Sequence, residues 1–211
     1  MSETMNKALN NAQNEIVIEL QNICKAYDGT PVLRGVSLAL RPGAPVCVTG
    51  RSGIGKTTLL RLMLGLEQPD SGTVSVRKGT RFAAVFQENR LIAHFSAADN
   101  VRFVCPKANM PDDAALAEAF AAVGLTRQEM EKPVSELSGG QQRRTALLRA
   151  LLAPADAVLL DEPFTGLDTE ARRAAAAYIR NMCADRALLC ITHEAGDAEL
   201  LGAKMFPITE N

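Results

Sequence analysis

Tryptophan is absent from this 211-residue chain, and aromatic residues make up only 4% of it. A surface that stacks on the bases of single-stranded nucleic acid needs such rings, so no nucleic-acid partner is expected. An excess of charge of one sign is lacking too, since 23 Lys and Arg against 24 Asp and Glu leave a formal net charge of -1. No global field draws the chain to a polyanion, and any anion must be held by local geometry. The five cysteines, Cys24, Cys47, Cys105, Cys183 and Cys190, form no CxxC pair. Two of them lie in apolar, strand-like runs and read as small buried hydrophobes, with reduced thiols as in a cytosol. Long hydrophobic runs are missing as well. The longest apolar stretch, Ala146–Leu160, is interrupted by Arg149, Pro154 and Asp156 and falls short of the roughly 20 apolar residues a membrane-spanning helix needs. The first residues, MSETMNKALNNAQNE, carry no apolar core of an export signal, and 1–14 reads as a polar lead-in. Membrane contact is therefore expected only through a partner.

What is present suits one folded domain over 1–211: 47% hydrophobic and 22% charged residues, at a length that buries a substantial core. Ile16, Ile18 and Leu20 alternate with polar neighbours, as do Val36, Leu38 and Leu40, and both runs read as half-buried strands. The intervening AYDGTPVLRG is rich in turn formers. Pro45–Gly50 is a short β-branched run ending in glycine, followed by Lys56–Leu66 with leucines and Met63 at helical spacing. Phe82–Phe86, Ala157–Leu160 and Ala187–Ile191 are continuous apolar runs, as a parallel sheet covered on both faces requires. Residues 88–137 show no strand pattern, and Asp112–Leu125 is helical in character, so a small α-helical insertion is placed there. The fold class is α/β.

Gly50-Arg51-Ser52-Gly53-Ile54-Gly55-Lys56-Thr57 fits G-x-x-x-x-G-K-[ST] between a strand and a helix, the context in which that pattern makes a phosphate-binding loop. Its glycines let backbone amides ring a phosphate at a helix N-terminus, where the dipole favours anions. Lys56 adds a point charge, Thr57 offers a hydroxyl to Mg²⁺, and Thr58 continues the loop into the helix. The ligand this implies is a nucleoside triphosphate with its Mg²⁺. Asp161 and Glu162 stand at the end of the apolar strand AVLL, where ligands of open α/β sheets gather. Asp161 suits the Mg²⁺ shell, and Glu162 suits the attacking water. Taken alone, the pair reads equally well as solvated acids at a strand end.

Leu137-Ser138-Gly139-Gly140-Gln141-Gln142-Arg143-Arg144 has no place in a generic enzyme of this loop type. A serine and two glycines opening an amphipathic helix make a second anion site, although by itself the segment also reads as an ordinary helix cap. It resembles the signature of ABC-family ATPases. Tyr27 ahead of the first strand pair, Gln87 in VFQEN, Asp168 in TGLD and His193 in ITHE follow in the order that family requires. The resemblance covers nearly the whole chain, from about Ile16 to the region of Leu201, and departs from the common pattern at Arg51, where proline is frequent, and at Glu194, where Asp is frequent.

The resemblance implies a P-loop NTPase (RecA-like) core with an antiparallel β subdomain and the helical insertion, binding ATP and Mg²⁺ and hydrolysing ATP. Catalysis then falls to Glu162, His193, Gln87 and Lys56. Nucleotide contacts fall to Tyr27, to Gly50, Arg51, Ser52, Gly53, Ile54, Gly55, Lys56, Thr57 and Thr58, and to Ser138, Gly139, Gly140, Gln141 and Asp168. Thr57, Gln87 and Asp161 hold the metal. Tyr27 would stack on adenine, while His193 would meet the γ-phosphate. The implied partners are integral-membrane permease subunits, a second cassette that sandwiches two ATP with this one, and an extracytoplasmic solute-binding protein. The implied place is the cytoplasmic face of the cell membrane, as a peripheral subunit. The run Phe86–Val101 is most similar to importers of small solutes such as nitrate, sulfonates, thiamine or molybdate. The chain stops soon after Leu201, which speaks against a regulatory C-terminal domain. A non-transport member of the family, in repair, translation or envelope processes, is the alternative; repair members usually add coiled-coil or zinc insertions and translation members a second cassette.

Overall fold

The computed structural model describes residues 15–209, so the lead-in expected over 1–14 lies outside the described residues. In chain order the elements are β1 (Ile18–Tyr27), β2 (Thr30–Leu40), β3 (Val46–Thr49), α1 (Lys56–Met63), β4 (Ser71–Val76), β5 (Phe82–Val85), α2 (Ala97–Arg102), α3 (Asp113–Ala122), α4 (Arg127–Glu131), α5 (Gly139–Leu152), β6 (Ala157–Asp161), α6 (Thr169–Met182), β7 (Ala187–Thr192), α7 (Ala195–Leu201) and β8 (Lys204–Pro207). Single 3₁₀ turns at Lys107–Asn109 and Val134–Glu136 punctuate the helical stretch.

Two sheets result. An antiparallel one has the order β2-β1-β4, and a parallel one the order β5-β6-β7-β3-β8. The segment AYDGTPVLRG, expected as a turn-rich connection, is strand almost throughout. Only Asp28 and Gly29 turn, with φ of 49° and 76°, the left-handed pair that a two-residue hairpin with the right twist demands. Tyr27 therefore ends β1 inside the hairpin instead of preceding it. Register shifts between Leu20 and Ile23, Ile23 and Lys25, and Lys25 and Ala26 break the apolar alternation along β1, and that is why the pattern faded after Leu20.

The central parallel strands β3, β6 and β7 are buried on both faces, and the side chains divide by parity. Val158, Leu160, Leu188 and Cys190 pack with Leu147 and Leu151 of α5 and with Ala175 and Ile179 of α6. Ala157, Leu159, Leu189 and Ile191 turn the other way, onto Leu59, Leu62 and Met63 of α1 and the inner face of the antiparallel sheet. A third cluster, built on Leu116, Phe120, Val123 and Met130, closes over Leu137 and Leu148 and gives the helical stretch its own small core. Helix α5 contributes to the first and third clusters at once, through Leu147 and Leu148, so it fixes the helical stretch to the sheet. All five cysteines are free, with Cys47 and Cys190 buried side by side on β3 and β7. No helix of the described residues is long and apolar enough to cross a membrane.

Candidate active site

Parallel register places the ends of three strands on one rim. Thr49 pairs with Thr192, and Asp161 with Ile191, so Gly50, His193 and Glu162 all leave the sheet at the same edge. The loop from Gly50 enters α1 through Gly55, which has φ of 105°. A Cβ at Gly55 would stand 2.7 Å from the Val32 carbonyl oxygen and 2.9 Å from Leu33 Cδ2; only glycine satisfies both the backbone and the space. Lys56 is buried, and its ammonium donates to the carbonyls of Gly50 at 2.7 Å and Arg51 at 2.9 Å, so the side chain lies across the mouth of the loop.

A cleft of about 310 Å³ opens over this loop, lined by Tyr27, Val32, Ser52, Gly53, Gly55, Lys56, Thr57, Thr58, Gln87, Asp161 and Glu162. A larger cavity, about 470 Å³, lies on the other side of the loop between β2 and β8. Its only ionisable lining residue is Arg34, so the chemistry belongs to the smaller cleft. Tyr27 is half exposed at the edge of that cleft. Its hydroxyl reaches the Glu67 carboxylate in a short hydrogen bond and lies 3.5 Å from Thr58 Oγ1. Glu67 is in turn paired with Arg61 at 2.8 Å. Glu67 sits in no motif, so no spacing pattern points to it.

Asp161 is 2% exposed and accepts a hydrogen bond from the Thr57 hydroxyl at 2.9 Å. Burial pushes its carboxyl pKa up, and the Thr57 hydroxyl acts in the opposite sense. Thr57, Gln87 and Asp161 also share a second cavity beside the first. A hydroxyl, an amide and one carboxylate are the hard oxygen donors Mg²⁺ takes when phosphate supplies the rest of its shell. No cluster of three or more His, Cys, Asp or Glu suited to a metal occurs among the described residues. The donor set thus fits a cation that arrives with a phosphate ligand.

Glu162 directly follows β6 with φ of 51°, and its amide donates to the Ile191 carbonyl at 2.9 Å. His193 Nδ1 lies 3.0 Å from Glu162 Oε2. The hydrogen bond and the negative charge of Glu162 hold the His193 pKa above its ordinary value of 6.5. The sign follows directly: with the folded pKa raised, the imidazolium–carboxylate attraction is fully present below pH 6.5 and is lost as pH rises through the folded pKa. A ¹H–¹⁵N titration of the His193 ring is expected to give a midpoint above 6.5, moving back toward that value in Glu162→Gln. A midpoint unchanged by the substitution would refute the pairing.

Next to His193, Asp197 is buried and receives a short hydrogen bond from the Thr192 hydroxyl, while Arg172 contacts Asp197 and, at 2.5 Å, Glu194. Both neighbours of the histidine are thereby tied to α6. The other histidine, His94, stands edge-on to Phe95 at 5.0 Å in the helical stretch, away from the cleft.

Ser138, Gly139, Gly140, Gln141 and Asp168 do not line the cleft of their own chain. Ser138 caps α5 in a capping box with Gln141: its amide donates to the Gln141 side chain at 2.7 Å, and its hydroxyl accepts from the Gln141 amide at 3.3 Å. Asp168 caps α6 with its side chain alone, accepting from the Ala171 amide at 2.8 Å. A Cβ on Gly140 would lie 3.0 Å from the Gly166 carbonyl oxygen, so the signature segment and the TGLD turn are packed together, apart from the phosphate loop. Arg143, which follows the signature on α5, has no spacing pattern that marks it, yet it donates to the carbonyls of Asp161 and Glu162.

Residues 33–165 match the family described as ABC transporter. The aliphatic sulfonates import ATP-binding protein of Rhodococcus jostii (strain RHA1) is 38% identical over 205 residues, covering 94% of this chain and 82% of the relative. An Fe(3+) ions import ATP-binding protein of the same organism is 36% identical over 86% of this chain and 56% of its own length. A spermidine/putrescine import ATP-binding protein of Legionella pneumophila subsp. pneumophila is 34% identical over 86% of this chain and 54% of its own length. The chain thus spans most of the first relative and little more than half of the other two. Among solved structures, a dimeric ATP-binding cassette in a post-hydrolysis state bound to ADP and phosphate shares the fold, with a TM-score of 0.78 at 23% identity over 90% of this chain and 94% of that one. A family match running from β2 through the Asp161–Glu162 turn, joined to a relative of this similarity, settles the lineage: the chain belongs to the ABC transporter family.

Proposed function

We propose that this chain, as a single cassette, binds and hydrolyses ATP to energise the import of a small solute, as a peripheral subunit on the cytoplasmic face of a membrane permease. Amides of the Gly50–Thr57 loop and the Lys56 ammonium hold the β- and γ-phosphates, with Thr58 closing the loop into α1, and Tyr27 stacks on the adenine. Thr57, Asp161 and Gln87 hold Mg²⁺, which supplies charge neutralisation on the phosphate oxygens. Glu162 orients and deprotonates the attacking water, and His193, hydrogen-bonded to Glu162, positions that carboxylate and the γ-phosphate.

The observation that carries the reading is a division of labour. Lys56 is the only cation among the residues lining the cleft, whereas the transition state spreads charge over three phosphate oxygens and needs further donors. The Ser138–Gln141 helix start is such a donor, and it does not line the cleft of its own chain. A second copy, turned about a two-fold axis, brings that segment and Asp168 over the loop, sandwiching two ATP. Closing on ATP and opening after hydrolysis is then a differential affinity for two states, which moves attached membrane helices. The Gln87–Asn100 segment and the helical stretch, with Phe103 exposed on it, face the permease. Similarity to import subunits for sulfonates, iron and polyamines favours import over a role in repair or translation, with a solute-binding protein delivering the cargo.

The test is reconstitution with a polytopic membrane protein that co-purifies with this chain. ATP turnover in proteoliposomes is expected to rise several-fold when the solute-loaded binding protein is added. Turnover that ignores both membrane partner and binding protein would favour the non-transport alternative.

A further inference from the structure

Arg143 is 4% exposed, an unusual location for a guanidinium. One side of its fork, Nη1, donates to the Phe86 carbonyl at 2.5 Å, to the Gln87 carbonyl at 3.4 Å and to Asn89 Oδ1 at 3.1 Å. The other, Nη2, donates to the Asp161 carbonyl in a short bond and to the Glu162 carbonyl at 2.7 Å. Its Nε is buried without a partner. Burial works against the charge, and the nearby carboxylates of Asp161 and Glu162 work for it.

A buried guanidinium needs acceptors for its N–H groups wherever it lies, and where those acceptors sit decides what it holds together. Arg143 spends its fork on two loops, the one that carries Gln87 and the turn that carries Glu162. That turn has a peculiarity: Glu162 adopts φ of 51°, a left-handed conformation that non-glycine residues enter only when the surroundings enforce it. The enforcing contacts are the Ile191 carbonyl on the Glu162 amide and Arg143 on the carbonyls either side of the strained torsion.

We infer that Arg143 is a positioning residue for ATP hydrolysis: its guanidinium, forked between the Gln87 loop and the Asp161–Glu162 turn, holds Glu162 in the left-handed conformation that sets its carboxylate against His193. The inference rests on the reading that Glu162 handles the attacking water. Lysine cannot substitute, because a single ammonium does not span two loops in a plane.

The test measures ATP turnover and KM for Arg143→Gln and Arg143→Lys beside wild type and Glu162→Gln. Both Arg143 variants are expected to lose about ten- to hundredfold in kcat, the scale of a small misplacement of a catalytic group, with KM for ATP within about threefold because the Gly50–Thr57 loop is untouched. In a Glu162→Gln background, adding Arg143→Gln is expected to lower the residual single-turnover rate no further, since a residue acting through Glu162 has nothing left to position. Wild-type kcat in either folded variant, a rise in KM matching the fall in kcat, or a multiplicative loss in the double variant would each overturn it. If Arg143→Gln fails to fold, Arg143→Lys decides by the same criteria, and failure of both to fold assigns the residue to the fold alone and overturns the inference. Normal turnover in Glu162→Gln removes the functional reading beneath it, whereas a slow Glu162→Gln beside normal Arg143 variants removes only the role of Arg143.

Discussion

Replacing Glu162 by glutamine is expected to lower steady-state ATP hydrolysis by about 10²–10⁴-fold, the range a general base contributes, while ATP binding is retained. Glutamine keeps the shape of the side chain and leaves the backbone contacts to Ile191 and Arg143 in place. What disappears is the capacity to accept a proton and the negative charge that faces His193 at 3.0 Å. Nucleotide affinity should change little, because the proposed phosphate contacts, the loop and Lys56, are untouched, and the loss should appear in kcat with KM nearly constant. A site that binds but does not turn over keeps the paired state populated, so size-exclusion chromatography with ATP is expected to show a dimer that wild type, hydrolysing its ligand, does not accumulate. Unchanged turnover would remove Glu162 from the chemistry.

Mixing two inactive variants is expected to restore activity. Lys56→Ala disables the loop, and Ser138→Arg places a bulky cation at the start of α5, where the signature would meet a partner's nucleotide. In a homodimer of either variant both composite sites are broken. A heterodimer concentrates both lesions in one site and leaves the other intact, so random pairing, in which half the dimers are mixed, should recover about a quarter of wild-type sites under two-fold symmetry. Each variant alone is expected to be near background, and Lys56→Ala should also lose nucleotide affinity. Absence of recovery from two well-folded partners, or normal activity of Ser138→Arg alone, would contradict a site shared between copies. The cis geometry motivates the experiment: Ser138 is committed to capping its own helix through Gln141 and does not line its own chain's cleft.

The elements with strong local signals were legible in the sequence. The strand, loop and helix around Gly50–Thr57, the buried runs at Ala157–Leu160 and Ala187–Ile191, and a helix near Asp112–Leu125 each stand where the pattern placed them. Two edge strands were not foreseen. SGTVSV of β4 is mostly exposed and polar, and KMFP of β8 is four residues ending in proline; both owe their conformation to a neighbouring strand, which local pattern does not contain. The bulged second half of β1 was lost for a related reason, since each register shift reverses the inside–outside alternation on which a strand is recognised. In the site, residues that act through side chains within motifs could be named, and the cleft assembles most of them: Lys56, Thr57, Gln87, Asp161 and Glu162 line one space. Arg143, Glu67 and the Arg172–Asp197 pair could not be named, because they hold other residues in place by contacts across the fold. Their signal is burial and geometry, neither of which a spacing pattern encodes.

The strand order β5-β6-β7-β3-β8 has a bearing on how the molecule is made. The loop leaves β3 near residue 50, but the strands that complete the rim beside it, β6 and β7, lie more than a hundred residues later in the chain, as the 104-residue separation of the hydrogen-bonded Thr57 and Asp161 records. Pairings of that span close late in folding, since the loop entropy must be met before any contact compensates it. A nascent chain that stops before β6 lacks Asp161 and Glu162, so the lining of the cleft is complete only in the finished sheet. A ligand in hundredfold excess over its dissociation constant adds about 2.7 kcal/mol to the state that binds it, so a nucleotide that needs both the loop and the late strands favours the finished sheet over its precursors.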